Sequence, residues 1–313
     1  MLYRVLGRTG LRVSLAGLGT GGASQLGQRT GRSVAESHQV VHKALDLGIN
    51  VFDSSPSYDA SEELLGGALK GIPRDRFVLA TKFQPHREGA LDPDPQALTR
   101  QLERSLKRLG VDVLDVLQYH GVAAAEYREV VDRFQPVALR ARESGKVRFI
   151  GITETVAGDP EHDMLCQALQ EDLFDTLMVK YGILNQAAAR RIFPLAQEHN
   201  VGVFVMAPVR TSLRNDAEAV ACIIKFIGQG LLSMERVQED DPLGLHRVGE
   251  PIPGLTRAAY HFAAAHPAAS TVLMGTANVE HLEKNVQDLL GLGLSPAQYG
   301  YLQEVYGSLS WNA

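Results

Sequence analysis

Short apolar runs rich in Val, Leu and Ile return eight times along this chain, each followed by a longer stretch with helical spacing, and that alternation limits the fold more than any other feature. The runs fall at 13–20, 49–55, 77–82, 113–120, 147–153, 176–181, 201–207 and 271–276. Near-continuous apolar strands that alternate with helices belong to a parallel sheet covered by helices. Eight such units in 313 residues predict an α/β fold, a (β/α)8 TIM barrel, as one domain over 1–313. An open doubly wound sheet meets the same periodicity and stands as the alternative.

Two segments break the repeat. Before the first run, "YRVLGRTGLRVS" predicts an N-terminal β-hairpin around Arg8, Thr9 and Gly10, placed to plug the lower end of the barrel. Between the seventh and eighth runs lies a long insertion, 209–270, where one helix would suffice. It holds a helical pattern, "AEAVACIIKFIGQGLL", and then a charged "MERVQEDD". The expected role is a cover over the barrel mouth, with a dimerisation element as the alternative.

Composition narrows the function classes. At 45% hydrophobic and 21% charged the chain is ordinary globular protein, and a net charge of −5 gives no reason to bind nucleic acid or an anionic membrane. Nothing approaches the run of about 18 apolar residues that a membrane span needs, and the opening residues lack a secretory apolar core, so a cytoplasmic protein is expected. Cys166 and Cys222 have no C-x-x-C spacing, and no H-E-x-x-H is present. Reduced structural cysteines and no metal are the expectation.

The segment "LAGLGTGGASQLG" places Gly17, Gly19 and Gly22 as a G-x-G-x-x-G after an apolar run. A dinucleotide fingerprint needs a helix opening at its third glycine and an acid about 20 residues on. Here a polar, glycine-rich stretch follows, the helical pattern starts only near Ser33, and Asp53 lies well beyond that spacing. These glycines therefore serve another purpose.

In a closed barrel the site forms at the C-terminal ends of the strands, so polar residues that end apolar runs are the ones to collect. They are Asp53, with Tyr58 on the loop behind it, Lys82 and His120. Asp59 and Glu62 have the spacing of a capping box for the next helix. A phenol, with a reference pKa near 10, is a poor acid–base group at neutral pH. An adjacent ammonium favours phenolate, and a carboxylate paired with that ammonium keeps it charged. Tyr58, Lys82 and Asp53 thus suit a tuned proton donor, with His120 orienting a substrate carbonyl or sharing the proton.

With these residues in place the chain resembles the aldo-keto reductase superfamily over nearly its whole length, through "YRVLGRTGLRVSLAGLGTGG", "GINVFDSSPSYDASEELLGGAL", "VLATK", "DVLDVLQYH", "GKVRFIGIT" and "GTANVEHLEKN". The resemblance implies a catalytic tetrad of Asp53, Tyr58, Lys82 and His120. It also implies hydride transfer between a nicotinamide cofactor and an aldehyde or ketone, or the corresponding alcohol or sugar. Gly19, Thr20 and Gly21 would pass close to the nicotinamide ribose, and Asp53, Thr153, Glu154, Met178, Met206, Ala207 and Pro208 would surround the nicotinamide. Gly275, Thr276, Ala277, His281, Lys284 and Asn285 would hold the adenosine end.

The cofactor positions depart from the family pattern. Thr153 and Glu154 stand for the usual Ser-Asn, Met178 for Gln, Met206 for an aromatic residue, and Gly182 for the Asn of "YN" after Tyr181. A thioether cannot replace both the donor and the acceptor of an amide. Gly275 and His281 stand where many NADPH-dependent members carry Lys and Arg, which weakens a clamp on the 2′-phosphate. The resemblance favours NADP(H), with NAD(H) as the alternative. The partner expected is a small-molecule carbonyl or alcohol. A nucleotide-binding barrel with little turnover, acting as redox sensor or subunit partner, is the reading from another class, and a lyase using Lys82 as a Schiff base is a third.

Overall fold

The computed structural model describes residues 1–155, 158–233 and 241–309. Its first residues form the expected hairpin, with β1 (Tyr3–Val5) antiparallel to β2 (Arg12–Ser14) across a 3-10 turn at Gly7–Thr9. The eight apolar runs then become β3 (Ala16–Gly19), β4 (Val51–Asp53), β5 (Val78–Phe83), then, after a small hairpin of β6 (His86–Arg87) and β7 (Ala90–Leu91), β8 (Leu114–Val122), β9 (Val147–Glu154), β10 (Thr176–Lys180), β11 (Gly202–Met206) and β12 (Thr271–Met274). Each of the eight pairs in parallel with the next, and β12 pairs back onto β3 through Leu273 and Gly17. The sheet is closed, which rules out the doubly wound alternative.

Alternation along the strands separates two apolar layers. Val51, Val78, Ala80, Val116, Met178, Phe204 and Leu273 point inward and pack on one another. Their neighbours Phe52, Leu79, Leu117, Ile150, Leu177 and Val203 point outward under the helices. Leu6 and Val13 of the hairpin join the inner cluster, so the hairpin closes the end of the barrel where the strands begin. Arg4 fastens it there by donating to the carbonyls of Ala264, His266 and Ala269.

The covering helices are α1 (Val34–Asp46), α2 (Ser61–Leu69), α3 (Ala97–Leu109), α4 (Tyr127–Glu143), α5 (Asp163–Gln170), α6 (Ala187–Arg191), α7 (Phe193–Glu198), α8 (Asp216–Gly228), α9 (Leu255–Ala265), α10 (Val279–Leu290) and α11 (Pro296–Tyr306). Local signals set their ends. Ser33 and Glu36 form a capping box at the start of α1, and Gly110, at φ 68°, ends α3 in the left-handed conformation that glycine tolerates.

The capping box expected from Asp59 and Glu62 does not form. The N-cap of α2 is Ala60, without a side-chain cap bond, and Glu62 turns inward. There it accepts from the Thr81 hydroxyl at 2.6 Å and pairs with Arg108 at 2.5 Å. A carboxylate with a cation available in the core gains more from that pair than from a solvated helix end.

Within the insertion, α8 forms where the apolar pattern predicts a helix. Residues 242–250 dock on the C-terminal helix, where Gln298 donates to Glu250 O and Tyr306 to Leu243 O. Most of the charged "MERVQEDD" stretch, 234–240, lies outside the described residues. Cys166 and Cys222 are free thiols, and among the described residues no helix is long and apolar enough to cross a membrane.

Candidate active site

Four of the collected residues converge at the C-terminal mouth of the barrel. Asp53, Lys82 and His120 are the last inward-facing positions of β4 and β5 and an inward position near the end of β8. Lys82 donates to Asp53 Oδ2 at 2.6 Å and to the Ser54 carbonyl at 2.8 Å. Two of its three protons are thereby engaged, and its Nζ lies 5.0 Å from the centroid of the Tyr58 ring. Tyr58 meets His120 edge to face, with centroids 5.7 Å apart.

The electrostatics follow from burial. Loss of water pushes the Asp53 carboxyl up, against the pull of Lys82 and Gln118. Burial works against the Lys82 ammonium as well, but Asp53 first and the Tyr58 phenol second outweigh it and hold the ammonium above its ordinary value. His120 is pushed down to about 3, by burial and then by the Lys82 charge, so its imidazole is neutral throughout the physiological range.

The loop that carries Tyr58 is fixed by residues from the first barrel unit. Gln28 donates to Tyr58 O at 3.2 Å and accepts from Ala60 N at 2.7 Å. Thr20 donates its hydroxyl to Ser54 Oγ at 2.9 Å and its amide to Asp53 O at 2.9 Å. A Cβ on Gly21 would lie 2.6 Å from the Tyr58 ring, and one on Gly17 would lie 2.7 Å from Leu273. The glycines of the G-x-G-x-x-G segment thus include one that the inner layer requires and stand beside another that Tyr58 requires.

The residues expected around a cofactor occupy the opposite arc. Gly275 sits beside the Gly19 and Gly21 carbonyls, where a Cβ would be 3.4 and 3.6 Å from them. Thr276 accepts from Asn278 N at 3.1 Å, and the Asn278 side chain caps α10 through His281 N at 2.8 Å. Ala277 and Asn285 are half-buried and His281 is exposed. Lys284 is ion-paired one helical turn on with Asp288, which Arg257 also holds. Met178 and Thr153 are paired in register, and Lys180 and Met206 are paired two residues nearer the mouth. Thr153 accepts from Gly121 N at 2.8 Å. Glu154 faces the outer layer instead: Oε2 meets His162 Nδ1 at 2.5 Å and Oε1 accepts from Lys180 N at 2.7 Å, with the side chain sealed from solvent.

Sequence reasoning missed three residues here. Gln118, two positions before His120 on the same inward face, donates to Asp53 Oδ1 at 2.9 Å. Lys180 ends an apolar run as Lys82 does and was open to the same criterion. Together with Arg210, Lys180 borders a small cavity above β10 and β11 that Ala207, Pro208 and Ser212 complete. Burial pushes both cations below their ordinary values, the Lys180 charge resisting through Glu154. Arg210 Nη1 is buried and has no hydrogen-bond partner among the described residues, and the backbone is left-handed at both Ala207 (φ 58°) and Arg210 (φ 48°). Strained backbone that sets a half-buried guanidinium at the edge of a cavity suits an anionic ligand.

Comparison with known proteins bears on the family and the fold. The Aldo/keto reductase family model matches residues 17–221. L-galactose dehydrogenase of Arabidopsis thaliana is 30% identical over 294 residues, 90% of this chain and 86% of that protein. An NADH-specific methylglyoxal reductase of Escherichia coli (strain K12) is 28% identical over 66% of this chain and 67% of its own. Among solved structures, an aldo-keto reductase of Bacillus halodurans in its holo form superposes with a TM-score of 0.75 at 25% identity, covering 99% of this chain and 98% of the other.

Proposed function

The chain belongs to the aldo/keto reductase family and is an oxidoreductase, and from that membership we propose that it transfers hydride between NAD(H) and a small aldehyde or ketone, or the matching alcohol or aldose. The single observation that carries this reading is the buried chain from Gln118 through Asp53 to Lys82, ending beside Tyr58 and His120 at the barrel mouth.

A nicotinamide nucleotide, when bound, supplies the hydride. The protein's part is orientation and proton transfer. Tyr58 gives its proton to the substrate oxygen as carbonyl becomes alcohol. Lys82 stabilises the phenolate left behind, and Asp53, anchored from the far side by Gln118, keeps that ammonium charged and aimed. His120, neutral and beside the phenol, orients the substrate oxygen.

The residues present fit such a nucleotide. Arg210 and Lys180, with Ser212, would hold its phosphates, because a guanidinium with one buried nitrogen that has no partner among the described residues is stabilised by an anion. Thr153 and Met206 would border the nicotinamide; Glu154, with both oxygens engaged on the outer face, would act by shaping the strand end. At the adenosine end Gly275 and His281 offer no fixed cation and Lys284 is committed to Asp288, so NADH is preferred to NADPH. The NADH-specific methylglyoxal reductase supports that preference, and it and the L-galactose dehydrogenase support a carbonyl or aldose substrate.

The test is a fluorescence titration with NADH and NADPH, then steady-state reduction of a reactive aromatic aldehyde and oxidation of a panel of aldoses. Tighter binding of NADH with turnover is the expected result. Binding of neither nucleotide would overturn the proposal.

A further inference from the structure

Helix α8 is apolar on two opposite sides, and its own chain buries one of them. Ala219, Cys222, Ile223 and Phe226 form the buried side, and the helix packs against the turn Thr211–Leu213. Ala217, Ala221, Ile224 and Gly228 are exposed on the other side, at the i, i+4, i+7 and i+11 spacing of a single helix face. Ile224 is 53% exposed, and Leu231, seven residues on, continues the line at 52%. A solvated helix face carries polar side chains, whereas a helix that is apolar all round is buried all round.

Gly228 marks the same side a second time. It belongs to the last turn of α8, while the left-handed residue beyond the helix end is Gly230, at φ 71°. A Cβ on Gly228 would meet nothing within 4 Å. Neither its conformation nor its packing within the chain asks for glycine, which weakens a helix relative to alanine. With Ala217 and Ala221 it leaves room for another backbone to come close.

We infer that this face is the contact between two copies of the chain, α8 against α8, antiparallel about a two-fold axis. Such a contact sets residue i of one copy opposite j of the other, and j opposite i. Centred between Cys222 and Ile223, it sets Ile224 of each copy over Ala221 of the other and Ala217 against Gly228, so that the large side chain meets a small one. Charge selects the direction. Glu218 and Lys225 lie seven residues apart and so flank the face on the same side, with Arg214 holding Glu218 there at 3.0 Å. Antiparallel copies bring Lys225 of one to within about 3 Å, measured along the helix, of Glu218 of the other, and do so twice. Parallel copies would set Glu218 against Glu218 and Lys225 against Lys225. The dimer stands or falls independently of the reductase reading.

The experiment is sedimentation velocity on the full-length protein from about 1 to 100 µM, a range suited to a contact one helix wide, at the small end of specific interfaces. A shift from monomer to dimer is expected across it. Ile224→Glu should weaken the dimer at least about tenfold, because it buries a charge against an apolar face. Ile224 is exposed, so this variant leaves the fold intact, and circular dichroism checks that. Lys225→Glu should weaken the dimer about three- to tenfold, and adding Glu218→Lys should restore it. A chain that stays monomeric at about 100 µM would overturn the inference, and flotation of that monomer with phosphatidylcholine vesicles would assign the face to a membrane instead. A dimer that Ile224→Glu leaves unchanged would overturn it as well, by placing the contact elsewhere. Failure of the double charge reversal to restore the dimer would overturn the antiparallel arrangement.

Discussion

The two arcs of the barrel mouth are built on opposite terms. On the arc of β4, β5 and β8, the charged groups of the core find their partners inside the protein: Lys82 has Asp53 and the Ser54 carbonyl, and Asp53 has Lys82 and Gln118. On the arc of β10 and β11, two cations crowd one cavity, Arg210 has a buried nitrogen without a partner among the described residues, and two residues take left-handed backbone. On the proposed function the first arc moves a proton and the second takes up charge that a ligand brings. Chemistry and binding should therefore be separable by mutation.

The strongest way to break that separation is Tyr58→Phe. It should lower kcat by about a thousandfold or more, the upper range for loss of a general acid, while NADH affinity stays within about twofold. A comparable loss of affinity, measured by fluorescence titration, would mean that the arcs are not independent.

Arg210→Met makes the converse test. Loss of a charge-assisted bond should weaken NADH about 10- to 100-fold, and kcat at saturating cofactor should hold. Inorganic pyrophosphate should compete with NADH in wild type and lose that effect in the variant; isothermal titration reads both.

Gln118→Leu sharpens the description of the first arc. It leaves one Asp53 oxygen buried without a donor, and should cost about tenfold in kcat with NADH affinity unchanged. Gln118 is one of the groups that lower the Asp53 carboxyl, so its loss lets burial push that carboxyl further up. Activity that needs the carboxylate is lost as pH falls through this value. The acid limb of kcat/KM should accordingly move to higher pH, and an unmoved limb would assign Gln118 to packing alone.

The smallest effect expected is on stability. His120 ionises near 3 in the fold against 6.5 in the unfolded chain, so between these values the unfolded state binds more protons. Stability contributed by the neutral ring is full above pH 6.5 and falls as pH drops toward 3. Melting temperature between pH 7 and 4 should therefore decline less steeply in His120→Gln than in wild type.

What the sequence disclosed followed from pattern, and what it concealed depended on closure. The strands and the ends of β4, β5 and β8 were legible because an Asp, Lys or His stands out at the end of an apolar run. Gln118 was hidden because its partner Asp53 is on β4, two strands away around the ring, and only the shared neighbour β5 brings them face to face. Lys180 and Arg210 meet through a loop whose backbone angles no pattern reveals. Glu62 misled for the same reason: its spacing from Asp59 fits a cap, but the cation that claims it, Arg108, lies 46 residues further along.

The contact between Gly21 and Tyr58 has a consequence for descent. A single hydrogen atom in the loop after β3 sets where the Tyr58 phenol of the loop after β4 can stand, because a methyl there would lie 2.6 Å from the ring. The two loops are accordingly one heritable unit. A chimera that takes the second loop from another barrel without the first should lose the register of its phenol, and lineages that enlarge position 21 should be found to have rebuilt position 58 with it.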